Sequence, residues 1–231
     1  MATVLITGAA RGIGYELAKQ YAADGDRVYA TCRNPDKADK LNAAARESGG
    51  NMTVHRMDVG DMASVKACAG EIGDGAIDIL INNAGVWGGL DTQVLENMDY
   101  DNWAHEINIM AMGPLRVIQN FLPNVRKSQN PKIVTITSQT SAHAYPKVAG
   151  YSYSSAKAAC NRLMTMIARD LKPENIPAYL MHPGWVKTEM AGPVADIEPH
   201  ESATGIRRTV ANATLDDTGK FLTWEGGIHP W

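Results

Sequence analysis

The sequence predicts an α/β protein in a single domain, a doubly wound parallel sheet of about seven strands. Three observations carry that expectation. Short β-branched runs alternate with stretches of helical spacing along the whole chain. Most of the strand runs lack polar–apolar alternation, as parallel strands covered on both faces do. The first strand opens into a glycine-rich turn that leads straight into a helix.

The elements follow in order. Strands are expected at Val4–Ile6, Arg27–Ala30, Met52–Val54, Ile77–Ile81, Ile133–Ile136 and Ile176–Leu180, with a closing strand signal at 219–222. Helical spacing is read over roughly 12–24, 35–48, 61–72, 100–127 and 151–172. Pro35 and Asp61 stand where helices begin, since proline presets the first helical φ and an aspartate side chain accepts from free N–H groups. Pro173 ends the last of these helices. Residues 188–200 hold two prolines and little periodicity, and are expected to form a short substrate lid.

Composition excludes several classes. The 231 residues carry 25 acids against 22 bases, a net charge of −3, with no basic run of the kind a nucleic-acid backbone demands. A 45% hydrophobic share suits a folded chain that buries its own core. No apolar stretch approaches the ~18 residues of a membrane span. Cys32, Cys68 and Cys160 are scattered and odd in number, which argues against a disulfide framework and for a reducing, cytoplasmic compartment. His55, His105, His182, His200 and His229 show no ligand spacing, so no metal is expected.

The turn reads Thr7-Gly8-Ala9-Ala10-Arg11-Gly12-Ile13-Gly14. Glycines permit the tight bend and let the backbone approach a diphosphate. The helix start beyond them offers free N–H groups and a positive dipole end. This is a Rossmann-type nucleotide turn, spaced one residue differently from the common dinucleotide fingerprint. A second motif, Asn82-Asn83-Ala84-Gly85, follows a strand. A third, Tyr153-Ser154-Ser155-Ala156-Lys157, opens a helix fifteen residues after the strand-end serine Ser138. Together the motifs resemble the short-chain dehydrogenase/reductase family over nearly the whole chain. Met112-Gly113-Pro114-Leu115, His182-Pro183-Gly184-Trp185-Val186 and the C-terminal Gly226–Trp231 segment look most like its carbonyl-reductase-like subgroup.

The resemblance implies a site residue by residue. Gly8, Gly12, Ile13 and Gly14 would hold phosphates. Asp58 and Val59 would face an adenine ring, although Asp58 also reads as a strand-end cap. Asn83, Ala84 and Gly85 would flank the adenosine ribose, with Asn82 tying strands together. Pro183, Gly184, Val186 and Thr188 would grip the nicotinamide. The second strand ends in Thr31-Cys32-Arg33, without the acid that would bind a ribose 2′-hydroxyl. Arg33 can fork onto a 2′-phosphate, and Arg11 can add a second positive contact, which favours NADP over NAD.

Tyr153 and Lys157 lie one turn apart on one helix face. A free tyrosine titrates near 10, and a neighbouring ammonium together with an oxidised nicotinamide is expected to lower that value toward working pH. Tyr153 would then act as acid/base on a carbonyl or alcohol, with Ser138 holding the reacting oxygen. Tyr151 is read as pocket wall or core. The family also uses an asparagine from the long helix, placed seven residues after a tryptophan like Trp103 and three before a glycine like Gly113. Both counts arrive at Met110. Asn108 sits two residues away, ~200° round a regular helix, and only a local bulge would bring it in. Trp87, Gln139, His143, Tyr145, Trp185 and Met190 would line an apolar, partly aromatic pocket. Family members pair the long helix and the Tyr153 helix with a partner's copies, which implies a homodimer or homotetramer. The leading expectation is therefore an NADP-dependent carbonyl or aldehyde reductase. The alternatives are an NADP-binding regulatory or signalling protein with vestigial catalysis and, ranked lower, a sugar-nucleotide epimerase or dehydratase.

Overall fold

Seven parallel strands make the main sheet: β1 (Thr3–Ile6), β2 (Arg27–Cys32), β3 (Met52–Arg56), β4 (Ile79–Asn82), β7 (Lys132–Ile136), β8 (Ala178–His182) and β9 (Phe221–Thr223). A separate two-stranded hairpin, β5 (Gln93–Val94) with β6 (Asn97–Met98), lies between β4 and the next helix. The chain is seen here as a computed structural model, which describes residues 1–145 and 150–231. Strand order is β3-β2-β1-β4-β7-β8-β9. Leu5 pairs with Tyr29 on one side and Leu80 on the other, and Leu80 pairs onward with Ile133. The order reverses between β1 and β4, the switch point where doubly wound sheets open a crevice at their carboxyl ends.

Helices cover both faces. They are α1 (Gly12–Ala23), α2 (Asp39–Glu47), α3 (Met62–Ile72), α4 (Tyr100–Ile107), α5 (Gly113–Val125), α6 (Tyr151–Leu171) and α7 (Pro199–Asn212). One face packs Leu17, Tyr21, Leu41, Ile206 and Val210 against Val4, Ile6 and Val28. The other packs Val65, Val117, Phe121, Cys160 and Met164 against Leu5, Leu80 and Ile133. This two-sided burial explains strands that read as unbroken apolar runs.

Four departures from the sequence reading have physical causes. Residues 35–48 begin as a 3-10 turn at Pro35–Lys37 before α2. The long helix expected at 100–127 is α4, a π-turn at Asn108–Met112, and α5. The hairpin β5–β6 lies in a stretch to which the sequence reading assigns no element. Finally, α7 had been read as lid at its start and unassigned beyond. Its buried face is built from Ser202, Ala203, Gly205, Ile206, Thr209 and Val210, which is too small and polar to show as an apolar stripe. Gly205 is required there, because a Cβ would stand 2.4 Å from the indole of Trp224.

Candidate active site

The glycine turn is locked from the β4 side. Gly8 takes φ +68° and Gly12 φ +57°, both in the left-handed region. A Cβ on Gly8 would lie 2.8 Å from the Ala84 backbone, and one on Gly14 would lie 2.4 Å from Asn83 Nδ2. The Thr7 hydroxyl accepts from the amides of Asn83 and Ala84, each at 3.0 Å. Asn83 Nδ2 donates back to the carbonyls of Thr7 at 3.0 Å and Gly8 at 3.2 Å. Asn83 thus shapes the turn itself. Helix α1 starts at Arg11 with no side-chain cap and no acid in its first turn, so its leading N–H groups are left to an anion.

The neighbouring positions fall around this turn. Asp58 accepts from the Gly60 amide at 2.9 Å, and its own amide is held by Ser64, which makes it a strand-end cap. Val59 is buried beneath it. Asn82 donates to Thr135 at 3.4 Å, tying β4 to β7. Arg33 is exposed at the end of β2 and makes no ion pair among the described residues. Arg11 instead pairs with Glu189, across the turn from residues 188–192. Thr188 packs against Gly12 as well, its Cγ2 3.2 Å from where a Cβ would stand. Pro183 accepts from buried Ser202 at 2.6 Å. Gly184 has φ +86° and no room for a side chain beside Ile197 and Trp224. Val186 bridges to Ile197.

Ser138, Tyr153 and Lys157 converge past the ends of β4 and β7. Ser138 Oγ accepts from the Thr140 amide at 3.2 Å and the Thr140 hydroxyl at 3.0 Å, and it stands near enough to the Tyr153 phenol to lower its pKa. Lys157 lies 5.9 Å from the Tyr153 ring centre and donates to the Ile136 carbonyl at 2.9 Å. Trp87 meets Tyr153 edge-on, ring centres 5.2 Å apart. Burial pushes the Tyr153 phenol up to about 12 in the cofactor-free protein; Ser138 lowers it and the charge of Glu106 raises it. Burial also pushes the Lys157 ammonium down.

The π-turn settles the two candidates on the long helix. Asn108 Nδ2 donates to Gly60 O at 3.1 Å, and its Oδ1 accepts from Arg116 at 2.6 Å. The bulge forms, yet it keeps Asn108 turned away from Lys157. Met110 is fully buried, with its sulfur 3.7 Å from a Cβ placed on Gly85, and Lys157 Nζ is 3.9 Å from the same point. Tyr151, expected as pocket wall or core, is 46% exposed. His143 is exposed, and Gln139 reaches the Tyr145 hydroxyl at 3.5 Å.

The residue pattern that defines the short chain dehydrogenase family matches positions 2–198. The chain belongs to the short-chain dehydrogenase/reductase family. The C-signal protein of Myxococcus xanthus is 35% identical over 168 residues, covering 72% of this chain and all of that one. The NADPH-bound carbonyl reductase from chicken fatty liver superposes with a TM-score of 0.92 at 30% identity, covering 100% of this chain and 99% of that one. The carbonyl reductase Sniffer of D. melanogaster has the same fold, with a TM-score of 0.92 at 24% identity and full coverage of both chains.

Sequence reasoning missed two polar residues of this short-chain dehydrogenase/reductase site. Gln93 and Glu106 are both fully buried. Gln93 Oε1 accepts from the Tyr153 amide at 3.0 Å, and Glu106 Oε1 accepts from the Gly88 amide at 2.8 Å. In sequence each looks like an ordinary surface residue. The one signal was Gly150, an uncapped helix start that needed an acceptor from elsewhere.

Proposed function

We propose that this protein is an NADP-dependent reductase that transfers a hydride to a ketone or aldehyde of apolar, partly aromatic character. One observation carries the reading: the Tyr153 phenol stands between Ser138 and Lys157, beside an anion-ready glycine turn. The likeness to an NADPH-bound carbonyl reductase supports the same choice.

The residues fit a bound dinucleotide. The uncapped start of α1, with Gly8, Gly12, Ile13 and Gly14, would take the diphosphate. Asp58, Val59, Ala84 and Gly85 would border the adenosine. Pro183, Gly184, Val186 and Thr188 would border the nicotinamide, with residues 188–200 as a short lid. Arg33, exposed and unpaired, would take the 2′-phosphate. Arg11 would be the weaker phosphate contact, since Glu189 already engages it. Bound nicotinamide supplies the hydride.

The protein's own groups handle the proton. Ser138 orients the substrate oxygen next to the Tyr153 hydroxyl. Tyr153 donates its proton to that oxygen as negative charge develops. Lys157 stabilises the phenolate left behind, because a cation beside an anion in a buried site is weakly screened. A high resting pKa suits reduction, since Tyr153 then stays protonated until the substrate needs the proton. Trp87, Gln139, Tyr145, Trp185 and Met190 would form the substrate wall.

The same reading places the enzyme in the cytoplasm, in keeping with three buried free thiols. No helix among the described residues is long and apolar enough to cross a membrane. Exposed Met112 and Met166 offer apolar surface for a second copy, as a homodimer or homotetramer. The decisive assay follows NADPH and NADH oxidation against aldehydes, ketones and quinones, with Tyr153→Phe as control. NADPH-dependent turnover lost in that variant supports the proposal.

A further inference from the structure

Glu106 is a buried carboxyl that the reaction above does not use. It is fully buried on α4. Its Oε1 accepts from the Gly88 amide at 2.8 Å and, more weakly, from Gln93 Nε2 at 3.4 Å. Its Oε2 has no partner among the described residues. A buried carboxyl satisfied on one oxygen alone is expensive and calls for a reason.

The reason lies in what Glu106 holds. Gln93, also fully buried, donates to the Gly89 carbonyl at 2.9 Å and accepts from the Tyr153 amide at 3.0 Å. That amide is one of the orphan donors at the start of α6, where Gly150 supplies no side-chain cap. Gly150 has no room for one either, since a Cβ there would stand 2.3 Å from Gln93 Oε1. Gln93 therefore caps α6 from another segment of the chain. Trp87 directly precedes the Gly88 anchor, and its ring meets Tyr153 edge-on at 82°. Gly88 is pressed flat beneath Asn102, with no space for a side chain.

We propose that Glu106 is a positioning residue that acts through the Gly88 amide and Gln93 to fix the Tyr153 backbone and the Trp87 wall as one unit. The inference rests on the reductase reading for its kinetic consequence. Its structural consequence stands without it. A misplacement of about 1 Å at a reacting group costs on the order of 100-fold in rate, so a strut reaching the Tyr153 backbone carries kinetic weight.

The test compares Glu106→Gln, Glu106→Leu and Gln93→Met in the full chain. Turnover, NADPH affinity, melting temperature and amide exchange of the 150–157 segment are measured for each. Glutamine keeps an oxygen for the Gly88 amide and leucine does not. Glu106→Leu is expected to lower kcat by about 10–100-fold with NADPH affinity unchanged and faster exchange at Tyr153. Glu106→Gln is expected to restore most of both. Should Glu106→Leu fail to fold, Gln93→Met carries the test, with the same fall in kcat and the same faster exchange expected. Wild-type kcat and exchange in the folded variants would overturn the proposal. So would a glutamine variant as impaired as the leucine one, or losses of NADPH affinity that only track melting temperature. Absence of carbonyl turnover in the wild type would overturn the reductase reading instead, and the exchange data would still decide the strut.

Discussion

Met110 and Lys157 both reach the space over Gly85: the methionine sulfur and the lysine nitrogen stand 3.7 and 3.9 Å from the point where a Gly85 side chain would begin. The family resemblance implies an asparagine at the position that Met110 occupies. Here a buried thioether stands on the same side of the Gly85 backbone as the lysine that would reload Tyr153, both within 4 Å of one point. Met110→Asn is expected to raise kcat several-fold by giving a water near Lys157 a polar partner. The polar group enters a fully buried site, so the variant is also expected to lose about 1–3 kcal/mol of stability. Steady-state kinetics and a denaturation curve read the two effects. Unchanged or lower turnover in the folded variant would count against this role for position 110.

The turn that aims Met110 is held open by Arg116. Its guanidinium donates to Asn108 O at 3.0 Å, Val59 O at 3.2 Å and Asn108 Oδ1 at 2.6 Å. Of these acceptors only Asn108 O belongs to the π-turn's own ladder, where it also takes the Gly113 amide, so Arg116 pins the start of the turn to the loop at Val59. Arg116→Leu is expected to cost about 2–3 kcal/mol, as removal of charged hydrogen bonds does. It should lower turnover as well, because Met110 and the start of α5 shift together. Loss of stability without loss of turnover would separate the π-turn from the site.

Gly14 leaves no tolerance. Its Cβ would fall 2.4 Å from Asn83 Nδ2 and 2.5 Å from Gly8 O, so Gly14→Ala must displace the nucleotide turn itself. NADPH binding, followed by cofactor fluorescence, is expected to disappear in a protein that still folds. Retained affinity would mean that the turn does not hold the diphosphate.

Arg33 and Arg11 separate by partner. Arg33→Ala is expected to weaken NADPH by about 10–100-fold and leave NADH unchanged, the scale of a lost charged contact to phosphate. Arg11→Ala is expected to do less, because Glu189 already holds that guanidinium. Equal losses for both cofactors in Arg33→Ala would remove the basis for NADP preference.

The legible parts of this protein were those with an apolar or glycine signature. The strands of the main sheet, the glycine turn and the Tyr153–Lys157 face stand in the sequence because burial and tight turns demand particular residue types. The unread parts are polar groups doing buried work. Helix α7 hides behind Ser202, Gly205 and Thr209, although Glu198 and Glu201 form a capping box around Pro199 that marks its start. Gln93 and Glu106 carry no local pattern, since their partners lie far along the chain.

The pH dependence of reduction gives the most direct test of the central claim that Tyr153 is the proton donor. Reduction needs the protonated phenol, and burial raises its pKa to about 12 in the cofactor-free protein. The phenol is therefore protonated across the neutral range, and its contribution is lost only as pH climbs toward that raised value. The measurement is kcat/KM for NADPH-dependent carbonyl reduction against pH, in wild type and Tyr153→Phe. A profile flat through neutrality that falls only on the alkaline side, with activity abolished in Tyr153→Phe, is the predicted result. Activity that survives in Tyr153→Phe with the same profile would contradict the account.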